Sequence, residues 1–82
     1  MFYTYILKSL SSGEYYIGSC DGLNVRLREH NGGKVKSTKS SVPWEVVHAE
    51  TFNSRKEAVV RERQLKSWKS RRAIERLIKK HF

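Results

Sequence analysis

Cysteine and proline each occur once in these 82 residues, and long hydrophobic runs are missing altogether. The lone Cys20 cannot form an internal disulfide bond, and no cluster of cysteine and histidine has zinc-binding spacing. No apolar stretch approaches the roughly 20 residues that cross a bilayer. The N-terminus lacks the basic start and the cleavage site of a signal peptide. We therefore expect a single cytoplasmic domain over residues 1–82, without a membrane segment.

Acidic residues are also scarce, with 8 Asp and Glu against 17 Lys and Arg, which gives a net charge of +9. The excess is uneven, because Ser54–Phe82 holds 11 of the basic residues and only 3 of the acidic ones. Such asymmetry indicates a polyanionic partner, with nucleic acid ahead of an acidic membrane surface. The alternative is a solvated basic face that serves solubility.

Two short strands open the chain and a third follows later. Phe2–Lys8 and Glu14–Cys20 are rich in aromatic and β-branched residues and flank a turn that ends at Gly13, which predicts an antiparallel hairpin. Gly18 lies inside the second strand, where glycine marks a bulge or a close approach of backbone. The third predicted strand is Trp44–Phe52, with Pro43 at its start.

The first predicted helix is Leu23–Asn31, with Asp21 or Asn24 as its cap and two glycines after its end. One face of this helix is half apolar and half polar, because it carries Leu23, Arg26, Leu27 and His30. A polar, basic segment without periodicity follows, Lys34–Ser41, which we expect to be a loop within reach of phosphate.

Two further helices close the chain. The second spans Arg55–Trp68 behind a capping box at Ser54, and Glu62 shares a stripe with Ala58 and Leu65 that points toward the protein body. Val59 and Val60 offer a competing stripe. The third helix starts after Ser70 and has an apolar face made by Ala73, Ile74, Leu77 and Ile78. The order ββαβαα predicts an α+β fold, a small three-stranded sheet packed with helices.

Five residues are candidates for chemistry on a phosphodiester, namely Tyr5, Tyr16, Arg26, His30 and Glu62. Hydrolysis requires a base for the attacking water, a counter-charge for the phosphoryl oxygens and help for the leaving group. The planar fork of Arg26 matches two phosphate oxygens. One carboxylate, Glu62, together with substrate phosphate is a usual way to hold Mg²⁺. A tyrosine becomes a useful base only beside a cation or a metal.

Each candidate also has a purely structural interpretation. Tyr5 and Tyr16 suit half-buried packing positions in strands. Arg26 is able to lie along apolar surface with its head in water. His30 near a helix C-terminus favours the helix dipole, and Glu62 between two arginines suits a surface ion pair.

Three other residues with reactive side chains receive no catalytic assignment. Cys20 is interpreted as a small core residue. His48 lies in a strand without an evident partner and is interpreted as structural. His81 next to the C-terminus has no assignable role.

Several motifs together resemble the GIY-YIG endonuclease superfamily, above all its small stand-alone bacterial members. Tyr16-Ile17-Gly18 matches the second half of the name motif, and Tyr3-Thr4-Tyr5 matches the first half with Gly and Ile replaced. The segment Arg26–Asn31 resembles the pattern RLxEHN, and Val42–Val47 resembles the entry to the third strand. The pattern EAxxRExxLK spans Glu57–Lys66 and places its second Glu at Glu62.

The resemblance covers nearly the whole chain and implies a three-stranded antiparallel sheet and hydrolysis with one metal ion, Mg²⁺ or Mn²⁺. It implies that a tyrosine assists in activating water, that Arg26 stabilises the transferring phosphoryl group and that Glu62 holds the metal. The division of labour between Tyr5, Tyr16 and His30 stays open. We expect a monomeric, structure-selective or weakly sequence-specific endonuclease of DNA repair or processing.

The expected partner is nucleic acid, with DNA ahead of RNA, and phosphate contacts supply affinity but little sequence information. The residues predicted to make these contacts are Lys34, Lys36, Lys39, Arg61, Lys66, Lys69, Arg71 and Arg72. One alternative is a nucleic-acid-binding module on a nuclease fold with little or no cleavage of its own. Another is a small interaction protein whose basic face docks on acidic partners or membrane.

Overall fold

Three strands and three helices follow one another in the predicted order ββαβαα. The computed structural model describes residues 1–80, so His81 lies outside the described residues. The strands are β1 (Phe2–Ser9), β2 (Tyr15–Cys20) and β3 (Trp44–Phe52), and the helices are α1 (Leu23–Asn31), α2 (Arg55–Ser67) and α3 (Arg71–Lys80), with a short 3₁₀ helix at Lys39–Ser41. Across residues 1–80, no helix has the length and apolar character that crossing a membrane requires.

The strands form one antiparallel sheet in the order β2-β1-β3, as expected. Thr4, Tyr5, Ile6 and Leu7 of the central strand β1 are all buried, because both faces of the sheet are covered. Across the sheet, Tyr5 pairs with Gly18 of β2 and with a residue of β3 on its other side. The strand β2 is therefore an edge of the sheet.

The core consists of two layers, because successive residues of a strand point to opposite faces. Tyr5, Leu7, Cys20 and Trp44 form one buried cluster, against which two leucines of α1 pack. The other face buries a cluster of Ile6 with Leu65 of α2 and Ile74 of α3. The interpretation of Cys20 as a small core residue is confirmed, and burial raises the pKa of its thiol.

The helix caps agree with the sequence in two cases of three. Ser54 Oγ accepts a hydrogen bond from the Glu57 backbone N–H, and Ser70 Oγ caps α3 in the same way. The prediction for α1 was wrong, because its N-cap is Gly22 and no side chain caps it. Asp21 instead forms an ion pair with Arg55, at 3.3 Å.

The segment between α1 and β3 is more ordered than a polar loop. Thr38 is buried, and its carbonyl accepts a hydrogen bond from Trp44 Nε1 at 2.9 Å. Asn31 at the end of α1 bonds both the N–H and the carbonyl of Trp44, at 2.6 and 3.1 Å. The prediction of an irregular loop through Ser41 was wrong at its end, which is a 3₁₀ helix. The order of this segment allows Thr38 to support the site described below.

His48 has the partner that the sequence did not reveal. Its Nε2 lies 2.7 Å from Glu50 Oε2, and Glu50 also accepts two hydrogen bonds from Arg61 of α2. His48 and Glu50 are two residues apart on a strand and so share a face. The interpretation of His48 as a structural residue agrees with its burial in this contact.

Candidate active site

A chain of buried hydrogen bonds links β1, α1 and the segment before β3. The Tyr5 hydroxyl lies 3.0 Å from His30 Nε2, and His30 Nδ1 lies 2.8 Å from Thr38 Oγ1. We assign the Thr38 hydroxyl proton to the Val35 carbonyl, at 3.3 Å, so that the hydroxyl oxygen accepts a hydrogen bond from His30 Nδ1. Nε2 then carries the lone pair, and the Tyr5 hydroxyl donates to it.

The electrostatics of Tyr5 and His30 agree with this direction of the hydrogen bonds. Burial raises the pKa of Tyr5 to about 12, although the nearby Arg26 guanidinium opposes the shift. Burial also lowers the pKa of His30, and the positive charge of Arg26 lowers it further. Tyr5 is therefore protonated and His30 neutral near pH 7. This pair forms a fixed, uncharged support with almost no exposure to solvent.

Tyr16 of β2 lies against this support and is only half buried. Its ring centroid lies 4.9 Å from that of His30 and 6.4 Å from that of Tyr5. Tyr16 also lines an open cleft, whereas Tyr5 is 1% exposed. Tyr16 is thus the tyrosine of this cluster that solvent and a substrate can reach.

Arg26 lies on the α1 face predicted to point inward, at a second concavity next to the same cluster. Its Nη1 donates to Glu29 Oε1 at 3.1 Å, and 38% of its side chain is exposed. The concavity, of about 450 Å³, is also lined by Ser19, Asp21 and Arg55. The guanidinium therefore combines contact with the buried tyrosine and access from outside.

Glu62 of α2 lies on the other side of the edge strand. Its Oε1 accepts a hydrogen bond from Ser19 Oγ at 2.6 Å, and its Oε2 pairs with Lys66 Nζ at 2.6 Å. Burial raises the pKa of this carboxyl, but the hydrogen bonds from Lys66 and Ser19 outweigh burial and hold it below the usual value. Glu62 is therefore an ionised carboxylate near pH 7, and 19% of its side chain is exposed.

The structure thus brings Tyr5, Tyr16, Arg26 and His30 together on the α1 side of the sheet. Glu62 meets β2 through Ser19, whose side chain points to the face opposite Gly18. Because β2 is an edge strand, a ligand that wraps around this edge can contact groups on both sides. The edge strand separates the candidate metal ligand from the candidate base.

Glu62 is a single carboxylate, which can serve as one ligand of a hydrated divalent cation. In residues 1–80, no three His, Cys, Asp or Glu side chains are placed to hold a metal. Mg²⁺ keeps several waters and is commonly held by one or two carboxylates and substrate phosphate. The ionised Glu62 meets that requirement, but a cation on Oε2 has to displace the Lys66 ammonium.

The predicted nucleic-acid contacts fall into several groups. Lys66, Lys69 and Arg71 line the cleft beside Tyr16, and Arg72 lines a shallow concavity on α3. Lys34, Lys36 and Lys39 are exposed on the segment between α1 and β3.

Arg61 is placed apart from these groups. It makes two hydrogen bonds with Glu50, and its guanidinium lies over the Trp68 ring at 5.7 Å.

Sequence reasoning missed two residues at the site, Thr38 and Ser19. Thr38 fixes the tautomer of His30, but it lies in a segment without a periodic pattern. Ser19 directly follows the Tyr-Ile-Gly motif in a strand, and its alternation with Gly18 was the signal that it faces α2.

Comparison with known proteins agrees with this geometry. The GIY-YIG catalytic domain matches residues 1–81. This protein therefore belongs to the GIY-YIG family, which confirms the resemblance seen in its motifs and assigns it a nuclease-type fold.

The chain is similar to UPF0213 proteins in particular. It is 38% identical to one from Streptococcus agalactiae over 80 residues, or 96% of this chain and 89% of the relative. It is 38% identical to one from Natronomonas pharaonis over 77 residues, or 93% and 88%. The solution NMR structure of a UPF0213 protein from Bacillus halodurans is 33% identical and superposes with a TM-score of 0.60, covering 96% of this chain and 84% of that one.

Proposed function

We propose that this protein is a divalent-metal-dependent endonuclease that hydrolyses phosphodiester bonds in DNA, with structural or weak sequence preference, in DNA repair or processing. The observation that carries the proposal is the accessible Tyr16 ring seated against the neutral, buried pair of Tyr5 and His30. His30 is fixed by hydrogen bonds at both ring nitrogens, and the Tyr16 ring packs against it and against Tyr5. Supporting contacts of this kind hold the ring of a reactive residue in one position.

Burial supports different roles for the two tyrosines. Tyr16 borders the cleft, so its oxygen is the one that an attacking water can reach, and as a tyrosinate it would accept the proton of that water. Tyr5 has a pKa near 12 and donates to His30, so it acts as a positioning residue, as does His30.

Arg26 and Glu62 supply the remaining requirements of the reaction. The half-exposed guanidinium of Arg26 can pair with two oxygens of the transferring phosphoryl group, whose negative charge it then stabilises. One ion, Mg²⁺ or Mn²⁺, held by Glu62 would supply further charge neutralisation at the phosphate. These roles require a positively charged Arg26 and an ionised Glu62, and the structure supports both charge states.

The proposed substrate is DNA, bound through its phosphates by a monomer. The basic residues around the site are exposed lysines and arginines, which contact phosphate and read little sequence. The cleft and the concavity beside Arg26 are open, which suits a strand that passes around the β2 edge. Shape rather than sequence is then the natural basis for selection.

A cleavage assay on labelled substrates tests the proposal. The panel contains linear duplex, single strand, flap, branched junction and supercoiled plasmid, each with Mg²⁺, Mn²⁺ and EDTA. Glu62→Ala is compared with Glu57→Ala, which removes an exposed carboxylate from the same helix. We expect metal-dependent cutting that is lost in Glu62→Ala and kept in Glu57→Ala. Equal cutting by both variants would show that Glu62 does not hold the metal.

A nucleic-acid-binding module on the same fold is the second candidate function. It is favoured by the state of Glu62, since Ser19 and Lys66 already engage both carboxylate oxygens. This candidate predicts salt-sensitive binding to the same panel without product under either metal. Binding without cleavage across the whole panel would replace the endonuclease proposal.

A further inference from the structure

An open cleft of about 560 Å³ lies beside Tyr16 on the β2 edge of the sheet. One wall is β2 itself, the second is the segment at Ser37 and Thr38, and the third is the junction between α2 and α3. Thr38 also supports His30, so the cleft and the buried hydrogen-bond chain share a residue. A ligand in the cleft therefore lies next to the proposed reaction centre.

The lining of the cleft is basic on balance. Among the described residues, one carboxylate lines it, Glu14, against three basic residues of the helix junction, Lys66, Lys69 and Arg71. Lys66 is paired with Glu62 and Arg71 with Glu75, whereas Lys69 has no acidic partner within residues 1–80. Lys69 is thus the cationic group of the cleft that is most available to an anion.

Two of the three aromatic rings that line the cleft are already engaged or buried, and the third, Tyr16, is the accessible ring of the proposed reaction centre. The Tyr15 ring already carries the Arg71 guanidinium, 4.6 Å from its centroid, and the Lys8 ammonium at 5.9 Å. Trp44, which also lines the cleft, is 5% exposed. Away from Tyr16, the groups that the cleft offers to a ligand are therefore mainly cationic, which matches a sugar-phosphate backbone.

Lys69 stands at the α2–α3 junction in an unusual backbone conformation. Its φ is +47°, and it is the one non-glycine residue with a positive φ among residues 1–80. Glycine and asparagine adopt this conformation more readily than lysine. Strained backbone of this kind collects at functional sites. The turn between α2 and α3 therefore places a lysine at the cleft, at a position whose backbone conformation costs glycine less free energy than lysine.

We propose that this cleft binds the backbone phosphates next to the scissile one, and that Lys69 is a substrate-positioning residue that contacts one of them. The inference rests on the endonuclease proposal and adds the path of the strand, which runs from Arg26 around the β2 edge into the cleft. The recognised chemistry is a phosphodiester chain. Single-stranded and duplex DNA are its two possible sources.

The test compares variants that suit the backbone with variants that do not. Lys69→Asn and Lys69→Gly remove the charge and favour the positive φ, whereas Lys69→Arg keeps the charge. Lys56→Gln removes one exposed charge from α2, away from the cleft. Binding to single-stranded and duplex oligonucleotides is measured in EDTA, so that no cleavage occurs, at several salt concentrations.

We expect Lys69→Asn and Lys69→Gly to fold with an unfolding midpoint no lower than that of wild type. Both should bind roughly three- to tenfold more weakly, with the salt slope smaller by about 0.9 for duplex or about 0.7 for single strand. Lys69→Arg and Lys56→Gln should bind like wild type. The form of DNA that shows the larger loss identifies the source of the phosphates.

A second measurement locates the bound strand. Titrating wild type with the oligonucleotide should shift the backbone amide NMR signals of Ser37 and Lys69 and leave that of Lys56 in place. Wild-type affinity and salt slope in both Lys69→Asn and Lys69→Gly would overturn the cleft assignment and leave the endonuclease proposal intact. If wild type binds no oligonucleotide and cuts none, both proposals fail together.

Discussion

A Cβ atom at Gly18 would lie 2.5 Å from the Tyr5 hydroxyl oxygen and 2.7 Å from Tyr5 Cζ. The two residues face each other across the β1–β2 ladder. The tyrosine ring therefore crosses directly over the glycine to reach His30. The glycine of the Tyr-Ile-Gly motif is thus explained by a close approach, one of the two interpretations that the sequence left open.

Gly18→Ala should both destabilise the protein and impair its activity. The new methyl group has to push the Tyr5 ring away from His30, and forced repacking in a core commonly costs about 1–3 kcal/mol. Gly22→Ala is the control, since its Cβ would meet nothing nearer than a Val25 carbon at 3.9 Å. Urea denaturation measures the difference, and equal stability of the two variants would contradict the close approach.

Tyr5 should ionise at a higher pH than an ordinary tyrosine. Burial raises its pKa to about 12, so an alkaline absorbance titration should show a component near that pH, and Tyr5→Phe should remove it. Because the unfolded chain ionises near 10, the free energy of unfolding falls as the pH rises above that value. Circular dichroism at each pH verifies that the fold persists. If the component near that pH persisted in Tyr5→Phe, its assignment to Tyr5 would be wrong.

His30 should make the protein less stable at mildly acidic pH. Its folded pKa is lowered, so the unfolded state binds more protons below the unfolded value of 6.5. The free energy of unfolding then falls as the pH drops below that value, by at most about 1.4 kcal/mol per pH unit for this residue. His30→Gln should flatten this dependence. Parallel pH profiles for wild type and His30→Gln would show that another group is responsible.

Lys66 should weaken metal binding in the absence of nucleic acid. Its ammonium pairs with the Glu62 oxygen that a cation would approach, and an i,i+4 pair of this kind contributes about 0.3–0.5 kcal/mol. Lys66→Met should therefore raise Mn²⁺ affinity by roughly twofold in an electron paramagnetic resonance titration. Glu62→Gln should reduce that affinity strongly, and Glu57→Gln should not change it. Unchanged Mn²⁺ binding in Glu62→Gln would exclude this carboxylate as the ligand.

Local patterns in the sequence predicted the three strands and the three α-helices in their order, but not the 3₁₀ helix. The strands near Tyr5 and Tyr16 follow from aromatic and β-branched content, and the α2 and α3 starts follow from the serines that cap them. The predicted cap of α1 was wrong because Gly22 takes the N-cap position, which places Asp21 one residue before it. Asp21 forms an exposed ion pair with Arg55, a partner 34 residues away that local patterns do not reveal.

The sequence by itself determined the element order, the faces of the helices, the net charge and the motifs that indicate the GIY-YIG family. These features depend on neighbours within a few residues, where spacing specifies geometry. Only the tertiary structure decided which tyrosine is buried, that Thr38 fixes the tautomer of His30, and that Glu62 meets β2 from the opposite face through Ser19. Burial and long-range hydrogen bonds arise when distant segments pack together, and they set the pKa values and the access on which chemistry depends.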